Sequence, residues 1–268
     1  MADPIPVDDP DDERFTQFRV NERGLASRAD KRDDAGAGRL LAEGDLVVER
    51  ALAAGCEPIA ALVDRDRVPP VAARLACPVY AGGDEVRRAV ARVGMPRSII
   101  ALFRRPARPS VAEVAAAGRR LVVLEAVDNP ANVGAVVRNA AGLGWDGLVL
   151  DSTSADPLAR RALRVSMGTA FALPHARSGD LAAELRALDG FELWAMTPDP
   201  GAVPLDRVRA GVRAAILVGS ERAGLGDELL GLATPVRIPM AGGVDSLNAA
   251  AATAIACWAL RPGGAPAS

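Results

Sequence analysis

The chain of 268 residues has a formal charge of −2; half of its residues are apolar and a quarter are charged. This balance is that of an ordinary folded protein of one large or two small domains, and it excludes collagen, coiled coil and wholesale disorder. One histidine leaves little room for histidine metal sites or Ser-His-Asp catalysis, and three scattered cysteines favour reduced thiols over disulfides or a zinc site.

The sequence also gives expectations about location. The first residues are acidic, unlike a signal peptide. No apolar run reaches the ~20 residues that cross a bilayer. We therefore expect a cytoplasmic protein with neither a membrane partner nor a bound metal.

The first part of the chain changes character near residue 39. Residues 1–38 are charge-dense and poor in large apolar side chains, which predicts a mobile or loosely docked tail. Residues 39–103 then alternate helical and strand patterns, which predicts a small α/β domain. The helices are predicted at 46–55, 71–76 and 84–93, and the strands at 59–63, 78–80 and 97–103.

A second α/β domain is predicted over residues 111–268. The segment 104–110 (RRPARPS) before it is rich in proline and arginine and is predicted to be an extended, solvated linker. The apolar run 121–126 predicts a strand of the buried parallel kind, and further strands are predicted at 147–150, 193–196, 215–218 and 236–238. Helices are predicted at 132–143, 157–165 and 247–260.

The glycines at 142, 144 and 147 fit the dinucleotide fingerprint G-x-G-x-x-G. That fingerprint requires a strand before it and a helix after it, and here the predicted order is reversed. These glycines are therefore interpreted as a turn, and a Rossmann dehydrogenase is disfavoured.

Three junctions in the second domain combine glycines with polar residues directly after a predicted strand. They are the segments 128–134, 218–224 and 238–243, the last followed by Ser246-Leu247-Asn248. Ligands of open α/β sheets bind outside the carboxyl ends of strands, and glycine lets them approach the backbone. The three loops are therefore expected to converge on one pocket.

Each polar residue alone has a purely structural interpretation. Asn129, Asn132 and Ser246 are suited to capping helices, Arg138 to a helix surface, and Glu221 to a solvated loop. Only their combination points to a site.

This combination resembles the SpoU/TrmH family of RNA 2′-O-methyltransferases. Three motifs carry the resemblance, in the family's order: Asn129-Pro130-x-Asn132-x-Gly134-x-x-x-Arg138, Gly219-Ser220-Glu221-x-x-Gly224 and Ile238-Pro239-Met240-x-Gly242-x-x-x-Ser246-Leu247-Asn248. The resemblance implies a SPOUT fold, in which a parallel sheet has its C-terminal segment threaded into a trefoil knot. It also implies a small, ribosomal-protein-like α/β domain over residues 39–103 that binds the RNA substrate.

The resemblance further implies S-adenosylmethionine as the cofactor and a homodimer that completes the site. Backbone groups in the knot loops would bind the cofactor, and the positions are Gly219, Ile238, Met240, Gly242 and Leu247. The catalytic set carried over is Arg138 with Asn132, Glu221, Ser246 and Asn248, which would orient Arg138, the ribose and the loops.

The role of Arg138 has two interpretations. Guanidinium is a poor base, because it stays protonated at physiological pH. Arg138 either accepts the ribose proton transiently with the help of an RNA phosphate, or clamps that phosphate and polarises the hydroxyl.

Two arginine clusters are candidates for contacting RNA phosphates, with a solvated surface as the alternative. They are Arg104, Arg105 and Arg108 in the linker, and Arg160, Arg161 and Arg164 on a predicted helix. The predicted function is 2′-O-methylation of structured RNA, with ribosomal RNA favoured by the extra domain. The alternatives are a tRNA 2′-O-methyltransferase and a catalytically silent RNA-binding assembly factor.

Overall fold

The computed structural model describes residues 3–27, 38–91, 97–242 and 245–261. Within them the helices, in chain order, are Thr16–Arg19 (α1), Glu22–Leu25 (α2), Asp45–Ala53 (α3), Asp84–Ala91 (α4), Val111–Ala117 (α5), Pro130–Gly142 (α6), Arg160–Val165 (α7), Leu181–Arg186 (α8), Asp227–Leu232 (α9) and Ala249–Ala259 (α10). The strands are Ile5–Val7 (β1), Arg39–Glu43 (β2), Pro58–Asp64 (β3), Val79–Gly82 (β4), Ile99–Arg104 (β5), Arg120–Leu124 (β6), Gly147–Leu150 (β7), His175–Arg177 (β8), Glu192–Met196 (β9), Val203–Pro204 (β10), Ala214–Val218 (β11) and Thr234–Arg237 (β12).

These elements form two α/β units. The described parts of Met1–Ala107 and Leu158–Ala172 make unit 1, and those of Arg108–Pro157 and Leu173–Ser268 make unit 2. The strands of unit 1 run in the order β1-β4-β3-β5-β2, in which β1, β4 and β3 are parallel to one another and β5 is antiparallel to both β3 and β2. Strand pairs in unit 2 are parallel throughout, in the order β10-β12-β9-β11-β6-β7-β8.

The N-terminal stretch is part of the folded unit 1, and the prediction of a loose tail is wrong for residues 3–27. Strand β1 pairs with β4 at the edge of the sheet. Phe15 and Phe18 are fully buried, and the ring of Phe15 lies 5.7 Å from that of Tyr80 in an edge-to-face contact. The burial of these two aromatic rings stabilises the packing of the N-terminal stretch on unit 1, although many of its other residues are charged. Residues 28–37 lie outside the described residues.

Helix α7 belongs to unit 1, although sequence analysis assigned it to the second domain. Arg160 forms an ion pair with Glu43, whose side chain is 2% exposed, and also donates to the carbonyl oxygen of Ala91 at 2.6 Å. Arg164 lies 3.6 Å from the second oxygen of Glu43. A buried carboxylate needs a partner, and Arg160 supplies it.

The segment 104–110 is less solvated than predicted. Arg104 is exposed and forms an ion pair with Glu57 at 3.0 Å, but Arg105 and Arg108 are buried. Long arginine side chains bury their aliphatic stems readily, so a charge in the sequence does not imply an exposed residue.

Strands β6 and β11 of unit 2 form where apolar runs in the sequence predicted them. Strands β6 and β11 are buried along their whole length and pair in register from Arg120–Ala214 to Leu124–Val218. The glycines at 142, 144 and 147 end α6 and lead into β7, as expected for a turn, and Gly144 has a φ of +75°.

Helix α10 packs against α6 on one face of this sheet. The indole N–H of Trp145 donates to the carbonyl oxygen of Cys257 at 3.0 Å, and the amide of Asn139 donates to that of Ala250 at 3.1 Å. These bonds fix the C-terminal helix beside the first motif. Within the described residues, no helix is long and apolar enough to cross a membrane.

Candidate active site

A cleft of about 460 Å³ opens at the carboxyl ends of β9, β11 and β12. The loops that follow β11 and β12 line it, as sequence analysis predicted for the second and third motifs, whereas no residue of the first motif's segment 128–134 is in the lining. Because the strands are parallel, their carboxyl ends lie at one edge of the sheet, and this edge is where ligands of open α/β sheets bind.

The loop after β11 folds tightly around Gly219. A Cβ added to Gly219 would lie 2.0 Å from the carbonyl carbon of Gly224, so no larger residue fits without moving the loop. The loop closes through a bond from the Gly224 N–H to the Ser220 carbonyl oxygen at 2.9 Å, and Gly224 has a φ of +69°. Glycines at both positions therefore bring backbone atoms to the surface of the cleft.

The predicted cofactor residues mostly line this cleft. Gly219, Ile238, Met240 and Leu247 are in its wall, whereas Gly242 is exposed and lies outside the lining. Ser246 also lines the cleft, and its side chain is exposed. The lining mixes apolar side chains with a few polar groups, which is typical of small-molecule sites.

Three of the predicted catalytic residues form one hydrogen-bond network. The side-chain amides of Asn132 and Asn248 each donate to Oε1 of Glu221 at 2.7 Å. The amide of Asn248 also donates to Oδ1 of Asn132 at 3.1 Å. The network joins one residue from each of the three motifs.

Asn248 takes part in both helix capping and the network. Oδ1 of Asn248 accepts hydrogen bonds from the N–H groups of Ala250 and Ala251 at the start of α10, while its amide group is in the network. Asn129 caps α6 through the N–H of Ala131 at 2.9 Å. The capping and functional interpretations of Asn248 are therefore not alternatives, because each uses a different atom of its side chain.

Arg138 stands apart from this network. It lies on α6 six residues beyond Asn132, which displaces it by about 9 Å along the axis and turns it to another face of the helix. Its side chain is exposed, and no hydrogen bond or ion pair joins it to another described residue. The expectation that Asn132, Glu221 and Asn248 orient Arg138 directly is not supported by any contact among the described residues.

The cleft has a third wall that sequence analysis missed. Met196, Thr197 and Pro198 line it at the end of β9. The strand itself was predicted at 193–196, so the rule that ligands sit at carboxyl ends would have pointed to these residues. They carry no glycine or charged group to draw attention.

The candidate RNA-contacting arginines differ in accessibility. Arg104 and Arg161 are exposed, and Arg164 is half-buried. Arg105 and Arg108 are buried, and Arg160 is committed to Glu43, so these three do not fit a prediction of direct phosphate contact.

A parallel sheet with a glycine-lined cleft at its carboxyl edge defines a class of α/β proteins that bind nucleotide-like cofactors. Residues 119–258 match the SpoU rRNA Methylase family, and the chain belongs to this family. It is therefore an RNA methyltransferase that uses S-adenosylmethionine.

Relatives match almost the whole chain. An uncharacterized tRNA/rRNA methyltransferase of Mycobacterium bovis is 42% identical over 94% of this chain and 90% of its own. The 23S rRNA (guanosine(2553)-2′-O)-methyltransferase of Bacillus subtilis is 30% identical over 82% of this chain and 88% of its own. The AdoMet-bound rRNA methyltransferase of Sinorhizobium meliloti superposes with a TM-score of 0.80, at 27% identity, over 95% of this chain and 96% of its own.

The lining of the cleft fits this cofactor. Apolar side chains such as Leu225 and Ile238 suit the adenine ring, and the loop around Gly219 exposes backbone groups that can recognise it. Glu221 and Asp245 add two carboxylates to the lining, which suits a ligand with a sulfonium and an ammonium cation.

Proposed function

We propose that the chain methylates a ribose 2′-oxygen of structured ribosomal RNA. The observation that carries the proposal is the assembly of all three motifs at one edge of the sheet, with Asn132, Glu221 and Asn248 in direct contact beside the cleft. Bound S-adenosylmethionine supplies a methyl group activated by a positively charged sulfur.

The residues of this chain contribute mainly orientation. Holding two reactants in line can lower a barrier by ~7–11 kcal/mol. The tight loop of Gly219 and the capped start of α10 both line the cleft, and the Glu221 network links them. A rigid cleft of this kind holds the methyl donor in one position while the ribose approaches.

Arg138 is proposed to act on the RNA and not on the cofactor. It is exposed on α6 and has no carboxylate partner among the described residues, so its guanidinium is available to bind a phosphate. This supports the phosphate-clamp interpretation, in which Arg138 aligns the nucleotide and polarises its 2′-hydroxyl.

The choice of ribosomal RNA rests on unit 1. The B. subtilis relative acts, by its name, on 23S rRNA, and the match with it extends over both units of this chain. We propose that unit 1 binds the RNA and that unit 2, in which we place the trefoil knot, carries the reaction. The reaction is placed in the cytoplasm, where ribosomes are.

A homodimer is part of the proposal, with α10 in the interface. Ala251, Ile255 and Trp258 are exposed at helical spacing, and Trp258 is 57% exposed. A single apolar stripe on an otherwise packed helix is typical of a surface that a second copy covers.

Methyl transfer to purified RNA tests the function. Purified chain with labelled S-adenosylmethionine is expected to modify deproteinised ribosomal RNA and to leave tRNA unmodified. Mapping of 2′-O-methyl sites in cells with and without the gene should show one rRNA position that depends on the gene. Label found only in tRNA, or on a base, would contradict the proposal.

A further inference from the structure

Among the residues that the structure describes, Ala126 and Met167 are the two non-glycine residues with a positive φ. Met167 directly follows α7, and its N–H and that of Gly168 bond to carbonyl groups of the last turn, so its conformation is an ordinary helix end. Ala126, with a φ of +53°, ends no helix and lies between β6 and the first motif. A left-handed alanine is strained, and such strain is concentrated at functional sites.

Asp151, in the loop after β7, holds Ala126 in this conformation. Its Oδ1 accepts the N–H of Ala126 at 3.0 Å and that of Ser154 at 2.9 Å, and its Oδ2 accepts the N–H of Thr153 at 3.1 Å. The hydroxyls of Ser154 and Thr153 also donate to it. Burial raises the pKa of Asp151, but these hydrogen bonds outweigh burial, and the pKa lies below the ordinary value of an aspartate. The carboxylate is therefore ionised at neutral pH, and both of its oxygens accept.

Residues 151–155, here called the support loop, also bind the residue after the turn. The N–H of Val127 donates to the hydroxyl oxygen of Ser154 at 3.0 Å, and the N–H of Ala155 donates to the carbonyl oxygen of Val127 at 2.8 Å. From β8, the guanidinium of Arg177 donates to the carbonyl oxygens of Asp151 and Ser154. The support loop is thus itself fixed on the side of β8.

The turn at Ala126 directs its two neighbours to different loops. Glu125 accepts the N–H of Gly226 on Oε2 at 2.7 Å, two residues beyond the second motif. Val127 is bound to the support loop instead. The left-handed residue between them therefore links the second motif's loop to the support loop, directly before the first motif begins.

We propose that Asp151 is a positioning residue for methyl transfer that acts through the start of α6, an inference that rests on the role proposed for Arg138. Asn129, three residues after the turn, caps α6, so the turn determines where this helix begins. Helix α6 carries both Asn132 of the hydrogen-bond network and Arg138. A displacement at the start of a rigid helix is carried along it, and a misplacement of about 1 Å can lower a rate on the order of a hundredfold.

Asp151 lies outside the three motifs and outside the lining of the cleft. Its effect is therefore expected on the rate of the chemical step and not on cofactor binding. A residue that merely stabilised the fold would change the melting temperature without changing the rate of the folded enzyme.

Single-turnover methyl transfer to total cellular RNA, with cofactor and RNA saturating, tests the proposal. Asp151→Ala is expected to slow transfer about tenfold, while the affinity for S-adenosylmethionine, measured by calorimetry, stays within about twofold. Asp151→Asn keeps an oxygen that can accept the Ala126 N–H, so it should recover part of the rate.

Asp180→Ala is the matched control. Asp180 is another aspartate of unit 2 that accepts a backbone N–H, that of Ala183 at 3.0 Å, but it caps α8 and lies outside the lining of the cleft. This variant should lower the melting temperature, because a helix cap is lost, and keep the rate within about twofold.

A double-mutant cycle with Arg138 separates positioning from a general loss of stability. If Asp151 acts through Arg138, Asp151→Ala should slow an Arg138→Ala chain by less than about twofold instead of about tenfold. Ala126→Gly provides a rescue, because glycine adopts a positive φ without strain. Adding it to Asp151→Ala should restore part of the rate.

Three results overturn the proposal. They are a rate of folded Asp151→Ala within about twofold of the unaltered chain, an equal slowing with and without Arg138, and a loss of cofactor affinity as large as the loss of rate. If Asp151→Ala does not fold, Ser154→Ala decides, since it removes the acceptor of the Val127 N–H and keeps Asp151. It is expected to slow transfer at least about threefold, and an unchanged rate overturns the proposal.

The outcome is separable from that of the proposed function. Methylation of tRNA in place of ribosomal RNA would contradict the proposed function and leave the comparison of variants intact, because total RNA contains both substrates. Methylation of ribosomal RNA at the same rate by the unaltered chain and by Asp151→Ala would contradict this inference alone. A chain that methylates no RNA would contradict both.

Discussion

The side-chain amide of Asn248 donates to Oδ1 of Asn132 at 3.1 Å, although the two residues are 116 positions apart in the chain. Both amides also donate to one oxygen of Glu221. The start of α10 is thereby fixed to the start of α6, and the cleft wall formed by α10 depends on that contact.

Glu221→Ala is therefore expected to lower both stability and cofactor affinity. Two amides lose their acceptor, and Asn132 is buried, so the free energy of unfolding should fall by about 1–3 kcal/mol. Glu221→Gln keeps an accepting oxygen and should lose less. Glu228→Ala, which breaks only the exposed pair with Arg186, is the control and should change stability by under about 1 kcal/mol. Denaturant unfolding and calorimetry with S-adenosylmethionine measure these effects.

Arg138→Ala is expected to reduce methyl transfer by at least about a hundredfold under single-turnover conditions, because it removes stabilisation of the transition state. Cofactor affinity should stay within about twofold, since Arg138 is not in the lining of the cleft. Arg138→Lys should recover only part of the rate, because a lysine cannot bind a phosphate with two parallel hydrogen bonds. A parallel loss of cofactor binding would show that Arg138 acts on the cofactor.

Gly219→Ala is expected to abolish detectable cofactor binding. The new methyl group would overlap the backbone of Gly224 at 2.0 Å, so the loop must open. Gly142→Ala is the control, because a Cβ there meets nothing within 4 Å and the residue ends a helix. That variant should bind the cofactor normally and keep its melting temperature. Calorimetry with S-adenosylmethionine measures the cofactor affinity of both variants, and a thermal melt measures their melting temperatures.

Trp258→Glu is expected to convert the dimer to a monomer, because a charge replaces the most exposed large apolar side chain of α10. Val212→Glu places the same charge on a residue of unit 2 that is 71% exposed and lies outside α10, so it should leave the dimer intact. Sedimentation equilibrium of the two variants compares them. A dimer that survives Trp258→Glu would move the interface away from this helix.

The accessible arginines should control the salt dependence of RNA binding. Replacing Arg104 and Arg161 by Gln is expected to weaken binding and to flatten the log–log salt slope by roughly 0.7–0.9 per phosphate contact. Arg186→Gln removes one exposed arginine of unit 2; it is the control and should leave the slope unchanged. If the slope of the double variant equals that of the unaltered chain, the RNA follows another path. Cofactor affinity should be the same in all three proteins.

Short-range patterns predicted most of unit 2. The buried strand β11 is an uninterrupted apolar run and β6 is one after Arg120, and these strands precede the second and first motifs. The third motif follows β12, a Thr-Pro-Val-Arg strand that is not an apolar run. The convergence of the three motifs could be inferred, because parallel strands place their carboxyl ends together. The alternating pattern over residues 39–103 likewise predicted strands β3, β4 and β5 and helices α3 and α4 of unit 1, but not the strands β1 and β2.

Long-range packing produced the errors. Strand β1 has only three residues in an acidic context, and its place in the sheet depends on Phe15 and Phe18 reaching a core formed much later in the chain. Arg160 has the sequence context of a surface helix, and only the buried Glu43, 117 positions away, gives it a structural role. No local pattern encodes such a partner, because burial is set by the whole fold.

The placement of α7 has a consequence for how this protein can evolve. Since residues 158–172 belong to unit 1, the chain passes between the units three times, and a single recombination point cannot exchange one unit for a homologous copy. A new first unit joined at residue 107 would meet an α7 inherited from another parent, and Arg160 would lose its ion pair wherever that unit carries no glutamate at position 43. Substitutions at positions 43 and 160 are therefore expected to occur in pairs among descendants of this chain. On the proposed role of unit 1 in binding RNA, substrate preference is then more easily altered by point substitutions in unit 1 than by domain exchange.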